Sequence, residues 1–167
     1  GKKSPTSLEN WAEPALAVHR LPRYAKCGVG VLTARAPAVD IDVRHQELAD
    51  AIERMMIAAS GGGPVRYGQA PKRLRPCRAD VPYCKLSTRA YGQPSDQPHK
   101  VEVLATGQQF VVFGVHPDTG LEYAWPFDPL LDLERDDLPE LTAETAGRIV
   151  TKAETLLARV GNAVSTG

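Results

Sequence analysis

The tripeptide Asp40-Ile41-Asp42 places two carboxylates two residues apart at the end of an apolar run. Alternation with apolar neighbours predicts a β-strand over 38–43. Because residues two apart in a strand point to the same face, the carboxylates are expected side by side, with their apolar neighbours in the core. Carboxylates this close repel each other, which costs free energy unless a cation lies between them. Hard divalent cations such as Mg²⁺ meet that need, so the spacing indicates a metal site.

A third carboxylate, Glu102, occurs in a similar setting. The segment Lys100-Val101-Glu102-Val103-Leu104 also alternates polar and apolar side chains, as a half-buried strand does. Three carboxylates on sheet faces suffice for a two-metal phosphoryl-transfer site. Taken alone, Glu102 also fits the polar face of a half-exposed strand, which is the simpler interpretation.

The charge of the chain is balanced overall and uneven locally. Lys and Arg number 20, as do Asp and Glu, so the formal net charge is zero. This differs from the global basic signature of many nucleic-acid-binding proteins, so binding of that kind would need local patches. Residues 64–100 contain eight Lys and Arg against two Asp, whereas residues 128–144 contain seven Asp and Glu against one Arg. The sequence therefore predicts a bipolar molecule with a basic block at 64–100.

Two pairs of predicted strands would position the carboxylates. Residues 27–33 and 38–43 are consecutive strand candidates, which we expect to pair as a hairpin or to lie as close neighbours. Residues 101–104 and 109–115 form the second pair, joined by a predicted hairpin turn at 105–107. Glu102 would thus lie on a hairpin of its own.

Two helices are predicted around these strands. Apolar residues at helical spacing cover 46–60, and the glycines that begin at Gly61 stop the helix. A second helix is predicted over 142–161, with Thr142 as its first cap and Gly161 as its last. The expected fold class is α+β (mixed α/β), with a central, mostly antiparallel sheet flanked by helices.

The remaining segments have weaker patterns. Short strands are expected at 65–67, 85–91 and 121–125, and the acidic stretch 128–140 is expected to be a loop. A chain of 167 residues favours one domain over 1–167. The sequence has no recognisable signal peptide and no apolar stretch near transmembrane length. Its cysteines are odd in number and lack zinc-site spacing. Together these features predict a cytoplasmic protein.

Three blocks of sequence carry a family resemblance when taken in order. The first block is Gly28-Val-Gly-Val-Leu-Thr33 followed by Val39-Asp40-Ile41-Asp42; the second is Val65-Arg66-Tyr67-Gly68-Gln69-Ala70-Pro71-Lys72 with Arg78-Ala-Asp-Val-Pro-Tyr-Cys-Lys85; the third is Val101-Glu102-Val103 through His116-Pro-Asp-Thr-Gly120 to Tyr123-Ala-Trp125. The chain resembles a prim-pol (bifunctional DNA primase/polymerase) domain of the archaeo-eukaryotic primase superfamily, of the phage and plasmid type. The opening Gly1-Lys2-Lys3 and Trp11 also resemble the family's amino-terminal residues.

The resemblance implies a fold, an activity and a set of site residues. The expected fold is the archaeo-eukaryotic primase-like catalytic core. Asp40 and Asp42 match the family's first two metal-binding carboxylates and Glu102 matches the third, so all three would be catalytic and would hold two Mg²⁺ or Mn²⁺ ions. The implied activity is template-directed nucleotide addition on single-stranded DNA, with nucleoside triphosphates as substrates. The resemblance also implies a longer parent protein with a helicase domain, in the cytoplasm of a bacterial host.

The chain departs from the family at the triphosphate site. Many members have a Ser-x-His motif before the third carboxylate, whereas the nearest counterpart here, Gly114-Val115-His116, follows Glu102. The triphosphate is therefore assigned to basic residues, because Arg suits bidentate phosphate contacts and Lys supplies a point charge. The candidate nucleotide-binding residues are Arg66, Lys72, Arg78, Lys85 and His116.

Two other functions use the same residues. A metal-dependent nuclease would direct the three carboxylates at water instead of a 3′-hydroxyl, but it would need no triphosphate-binding block. A catalytically inactive prim-pol-like module would bind nucleic acid without a metal, and the three acidic positions argue against it.

Overall fold

The computed structural model describes residues 26–92 and 97–164; the Gly1-Lys2-Lys3 and Trp11 resemblances lie outside them. In chain order the elements are β1 Val29–Leu32, β2 Ala38–Asp42, α1 Gln46–Ser60, β3 Arg66–Tyr67, β4 Arg73–Pro76, β5 Leu86–Ser87, β6 Ala90–Gly92, β7 Lys100–Leu104, β8 Gln109–Phe113, α2 Ala143–Leu157 and β9 Asn162–Val164. The predicted strand at 38–43 and the predicted helix at 46–60 are both confirmed.

A five-stranded antiparallel sheet forms the centre of the fold. Its strand order is β3-β4-β2-β7-β5, so β2 is the middle strand. Two smaller antiparallel pairs, β1-β8 and β6-β9, complete the strands of the described residues. The α+β class with a mostly antiparallel sheet is therefore confirmed.

Both helices contribute to the larger hydrophobic core, on the apolar side of β2 and β7. Val39 and Ile41 of β2 and Val101 and Val103 of β7 are fully buried in that core, together with helix residues such as Ile52. The hydrophobic effect thus fixes which side of the sheet the acidic residues occupy, because side chains alternate along each strand. The helices cover one face, and the other face is shared by the acidic residues and a smaller hydrophobic cluster in which Ala38 and Leu104 pack against Phe110 and Val112 of β8.

Two of the three helix ends predicted from the sequence, Gly61 and Thr142, agree with the structure. His45 Nδ1 accepts a hydrogen bond from the backbone N–H of Leu48, and Gly61 ends α1 with a φ of 94°, a conformation that favours glycine. Thr142 caps the start of α2. The prediction that Gly161 ends this helix is wrong, because α2 stops at Leu157 and the chain returns as β9.

Neither of the two predicted hairpins forms. The first strand, β1, pairs with β8, whereas β2 pairs with β4 and β7. Strands β7 and β8 are likewise consecutive but belong to different sheets. The turn between β1 and β2 and the turn between β7 and β8 each carry the chain from one sheet to the other. The two turns are joined by a hydrogen bond of 3.2 Å from the Thr33 N–H to the Gln108 carbonyl. Each short turn therefore joins two sheets instead of closing a hairpin.

Strand β4 was not predicted, and its sequence explains why. Arg73 and Arg75 point to the same face as Ile41 and Val39, where a strand pattern requires apolar residues. Both guanidinium groups are buried there and form ion pairs with carboxylates of α1, so their buried positive charge is compensated.

The other weak expectations have mixed outcomes. Residues 121–125 form isolated bridges, from Glu122 to Val115 and from Ala124 to Tyr67, instead of a strand. The acidic stretch contains two short 3₁₀ turns, Leu130–Asp132 and Arg135–Asp137. Across the described residues, every helix is too short or too polar to cross a membrane.

Candidate active site

The three candidate carboxylates lie on one face of the two central strands. Asp40 of β2 is the direct cross-strand partner of Glu102 on β7, and Asp42 follows two residues later on the same face. The carbons that carry such directly opposed side chains are about 5 Å apart. The predicted alternation is confirmed, because Val39 and Ile41 are fully buried on the other face.

Lysines pair with two of these carboxylates. Lys72 Nζ lies 2.7 Å from Asp42 Oδ1. Glu102 Oε1 receives two ammonium groups, from Lys85 at 2.7 Å and from Lys100 at 2.9 Å. These lysines offset the repulsion that the sequence assigned to a metal ion.

The lysine pairs change the protonation of Glu102. Burial by itself raises the pKa of the carboxyl group, but the nearby ammonium groups of Lys85 and Lys100 outweigh it, so the pKa lies below its ordinary value. A carboxylate with a lowered pKa stabilises the folded state at neutral pH, and that contribution is lost as the pH falls through the folded-state pKa. Glu102 is therefore an ionised carboxylate at neutral pH.

The donor set suits a hard divalent cation in its chemistry. Carboxylate oxygens are the ligands that Mg²⁺ and Mn²⁺ prefer, and three of them share one sheet face. Within 26–92 and 97–164, no three His, Cys, Asp or Glu side chains converge closely enough to hold an ion. Because lysine contacts hold Asp42 and Glu102, coordination would require these carboxylates to change partners.

A buried arginine adjoins the carboxylates. Arg66 of β3 lies on the same sheet face as Asp40, since both are in register with Leu74 on β4. It is 9% exposed. One terminal nitrogen donates to the Val111 carbonyl, while Nε is buried without a hydrogen-bond partner among the described residues. Burial lowers the pKa of the guanidinium and the charge of Asp40 opposes that change, so Arg66 is a charged donor with unused capacity.

Aromatic rings hold Arg66 in place. Its guanidinium carbon lies 4.3 Å from the ring centroid of Tyr123, within the range of a cation–π interaction. Tyr123 packs edge-on against His116, with ring centroids 5.4 Å apart. His116 is buried, and its Nδ1 accepts from the backbone N–H of Asp118 at 3.2 Å, which assigns the ring proton of the neutral imidazole to Nε2.

Gly68 permits this close packing. A β-carbon at residue 68 would lie 2.6 Å from His116 Cδ2 and 2.6 Å from Tyr123 Cε1. We therefore expect Gly68→Ala to displace both buried rings and to lower the free energy of unfolding by about 2 kcal/mol through overpacking. Urea unfolding followed by circular dichroism measures this change.

A matched control is Gly62→Ala, because a β-carbon at residue 62 meets no atom within 4 Å. That variant should unfold at nearly the wild-type urea concentration. Equal stability of the Gly68→Ala protein and wild type would contradict the packing described here.

Two small cavities open beside these residues. One of about 70 Å³ is lined by Asp40, Asp42, Arg66, Gly68, Gln69, Lys72, Arg73 and His116. A second, of about 110 Å³, also touches Asp40, Arg66 and Tyr123. An anion that entered the first cavity would meet Arg66, Lys72 and His116 together.

The structure thus brings together most of the predicted site residues. Arg66, Lys72 and His116 line the cavity at Asp40, and Lys85 contacts Glu102. Arg78 lies elsewhere. It comes just after β4, at the end of that strand which pairs with Ala38 and not with Ile41. Its ion-pair partner is Asp80, at 3.6 Å.

Three residues of the site were not singled out from the sequence. Lys100 precedes Glu102 by two residues, so strand periodicity alone would have placed it on the carboxylate face. Tyr123 was noted from the sequence only as part of the third block, and the structure shows it buried and in contact with Arg66. The role of Gly68 depends on rings that are distant in sequence, so no local pattern indicated it.

Comparisons of the chain with protein-family models, with curated proteins and with solved structures found no match.

Proposed function

We propose that this chain is the catalytic domain of a DNA primase/polymerase, which adds nucleotides to a primer on a single-stranded DNA template in a metal-dependent reaction. The observation that carries the proposal is the shared sheet face of Asp40, Asp42 and Glu102 beside the buried Arg66. Carboxylates next to a buried cation match the needs of phosphoryl transfer, in which metal ions and a triphosphate meet.

Each residue has a distinct role in this proposal. Asp40, Asp42 and Glu102 would hold Mg²⁺ or Mn²⁺, which when bound would lower the pKa of the attacking 3′-hydroxyl and neutralise the departing pyrophosphate. Arg66 would donate hydrogen bonds to the triphosphate, and its contact with Tyr123 would keep it oriented. Lys72 and Lys85 would add positive charge at the same phosphates, and His116 would donate from Nε2.

The cations adjoining the carboxylates favour a polymerase over a metal-dependent nuclease. A nuclease would need no triphosphate site, yet Arg66, Lys72 and His116 line the same cavity as Asp40 and Asp42. The opposite observation, that lysines already neutralise Asp42 and Glu102, favours the second candidate, an inactive module that binds nucleic acid without a metal.

The proposal extends to partners and location. Single-stranded DNA and nucleoside triphosphates would be the ligands, and a helicase domain of the same parent protein would supply the template strand. Such a protein, encoded by a phage or plasmid, would act in the cytoplasm of its bacterial host.

A nucleotide-incorporation assay tests the proposal. The protein is incubated with single-stranded DNA, labelled nucleotides and Mn²⁺ or Mg²⁺, with and without a primer, beside an Asp40→Ala/Asp42→Ala protein. We expect a metal-dependent product that the double substitution removes, and the reaction without primer separates priming from extension. Metal-dependent shortening of the DNA would instead identify a nuclease, and salt-sensitive binding with neither reaction would identify the inactive module.

A further inference from the structure

Glu102 has more positive charge around it than one carboxylate requires. Lys85 and Lys100 reach the same oxygen, Oε1, at 2.7 and 2.9 Å. Two ammonium groups on one atom repel each other, so the second contact gains less than the first. One of the two lysines is therefore held weakly enough to be displaced.

The two lysines reach Glu102 from different elements. Lys100 belongs to β7 and is the cross-strand partner of Asp42, so it lies between two of the carboxylates. Lys85 directly precedes β5. Their side chains are 33% and 36% exposed, and a lysine stem is long and flexible. Either ammonium group can thus leave Glu102 and remain at the rim of the site.

The charges of the site do not sum to zero. Three carboxylates face the four cations Arg66, Lys72, Lys85 and Lys100. Arg73 also lines the cavity, but it and Arg75 are balanced by Asp50 and Glu53. Before any ligand binds, the site has one positive charge in excess. A divalent cation that enters alone adds to this excess of positive charge. A divalent cation that enters with a polyphosphate does not, because the polyphosphate brings negative charge.

We propose that Lys85 and Lys100 are exchangeable counter-ions of Glu102: they neutralise it while no metal is bound, and they leave it for phosphate when a divalent cation arrives. The inference rests on the metal site of the proposed function and deepens it. It requires that the lysines oppose metal binding on its own and favour joint binding of metal and polyphosphate. Because coupling is reciprocal, the metal must then raise the affinity for polyphosphate by the same factor.

Binding of Mn²⁺ alone provides a test that needs no catalysis. Mn²⁺ is titrated into the 167-residue protein by calorimetry, for wild type, Lys100→Met and Lys85→Met. Each substitution removes a competing cation, so the dissociation constant for Mn²⁺ should fall about 10-fold, as expected for one charge removed near a half-exposed ion. Lys152→Met, on the exposed side of α2, is the matched control and should bind Mn²⁺ as wild type does.

The outcomes separate this inference from the proposed function. Mn²⁺ binding that is unchanged or weaker in Lys100→Met and Lys85→Met, or undetectable in every protein, overturns it. Thermal melts without metal verify that the variants fold, and Lys100→Gln repeats the test with a polar side chain. If the lysine variants bound Mn²⁺ more tightly but the wild-type protein never incorporated nucleotides, the exchange of counter-ions would be upheld. The polymerase function would then be rejected.

Discussion

A Glu53→Gln protein is expected to lose about 3 kcal/mol of unfolding free energy, because the change removes one partner of a buried charge network. Glu53 of α1 binds both Arg73 and Arg75 of β4, and the contact with Arg75 is 2.9 Å. The arginine side chains are 3% and 9% exposed. Glutamine keeps the shape of Glu53 but leaves the buried Arg75 guanidinium without its carboxylate partner, while Arg73 keeps Asp50.

Urea unfolding of the purified protein measures this loss, with the midpoint and slope compared to wild type. Glu144→Gln is the control, because its carboxylate is 83% exposed and lies 3.9 Å from Arg148. Exposed pairs of this kind contribute little to stability. If Glu53→Gln unfolded at the same urea concentration as Glu144→Gln, the network would not be what joins α1 to β4.

An Asp40→Asn protein is expected to lose nucleotide incorporation by about 1000-fold, as removal of several kcal/mol of metal-dependent stabilisation requires. Asp40 is the central carboxylate, because it is the cross-strand partner of Glu102 and also interacts electrostatically with Arg66. Asparagine retains the size and hydrogen-bonding shape of the side chain while removing its charge. The measurement is the initial rate of primer extension at saturating Mg²⁺.

Two comparisons make this result interpretable. Circular dichroism melting of Asp40→Asn establishes that the protein remains folded, and Asp132→Asn, in the exposed acidic stretch, should extend primers at the wild-type rate. Retention of full activity by Asp40→Asn would remove Asp40 from the catalytic centre and with it the proposed function.

The elements of the fold were predictable where periodicity was clear. The helix at 46–60 and the strand at 38–43 follow from local patterns, because burial selects one face of each. Strand pairing was not predictable, since the turns at 33–37 and 105–108 have the sequences of tight turns but connect different sheets. Strand β4 was missed because its buried face is satisfied by ion pairs with α1, which lies far away in sequence.

The site was predictable to a similar degree. The shared face of Asp40, Asp42 and Glu102 follows from the two-residue period of strands, whereas the opposition of Asp40 and Glu102 depends on a register that no local signal encodes. Of the two lysine partners of Glu102, Lys100 follows from the same two-residue period, whereas Lys85 is 17 residues from Glu102 in the chain and meets it through the pairing of β5 with β7.

The position of β2 has a consequence for how the site comes into being. Asp40 is in register with Leu74 on one side and Glu102 on the other, so the carboxylate face exists only after two long loops have closed. Closing such loops costs chain entropy before the contacts compensate it, which slows folding in proteins dominated by distant pairings. The site is therefore a product of long-range strand pairing, and a fragment limited to β2 and α1 would lack the strand that carries Glu102.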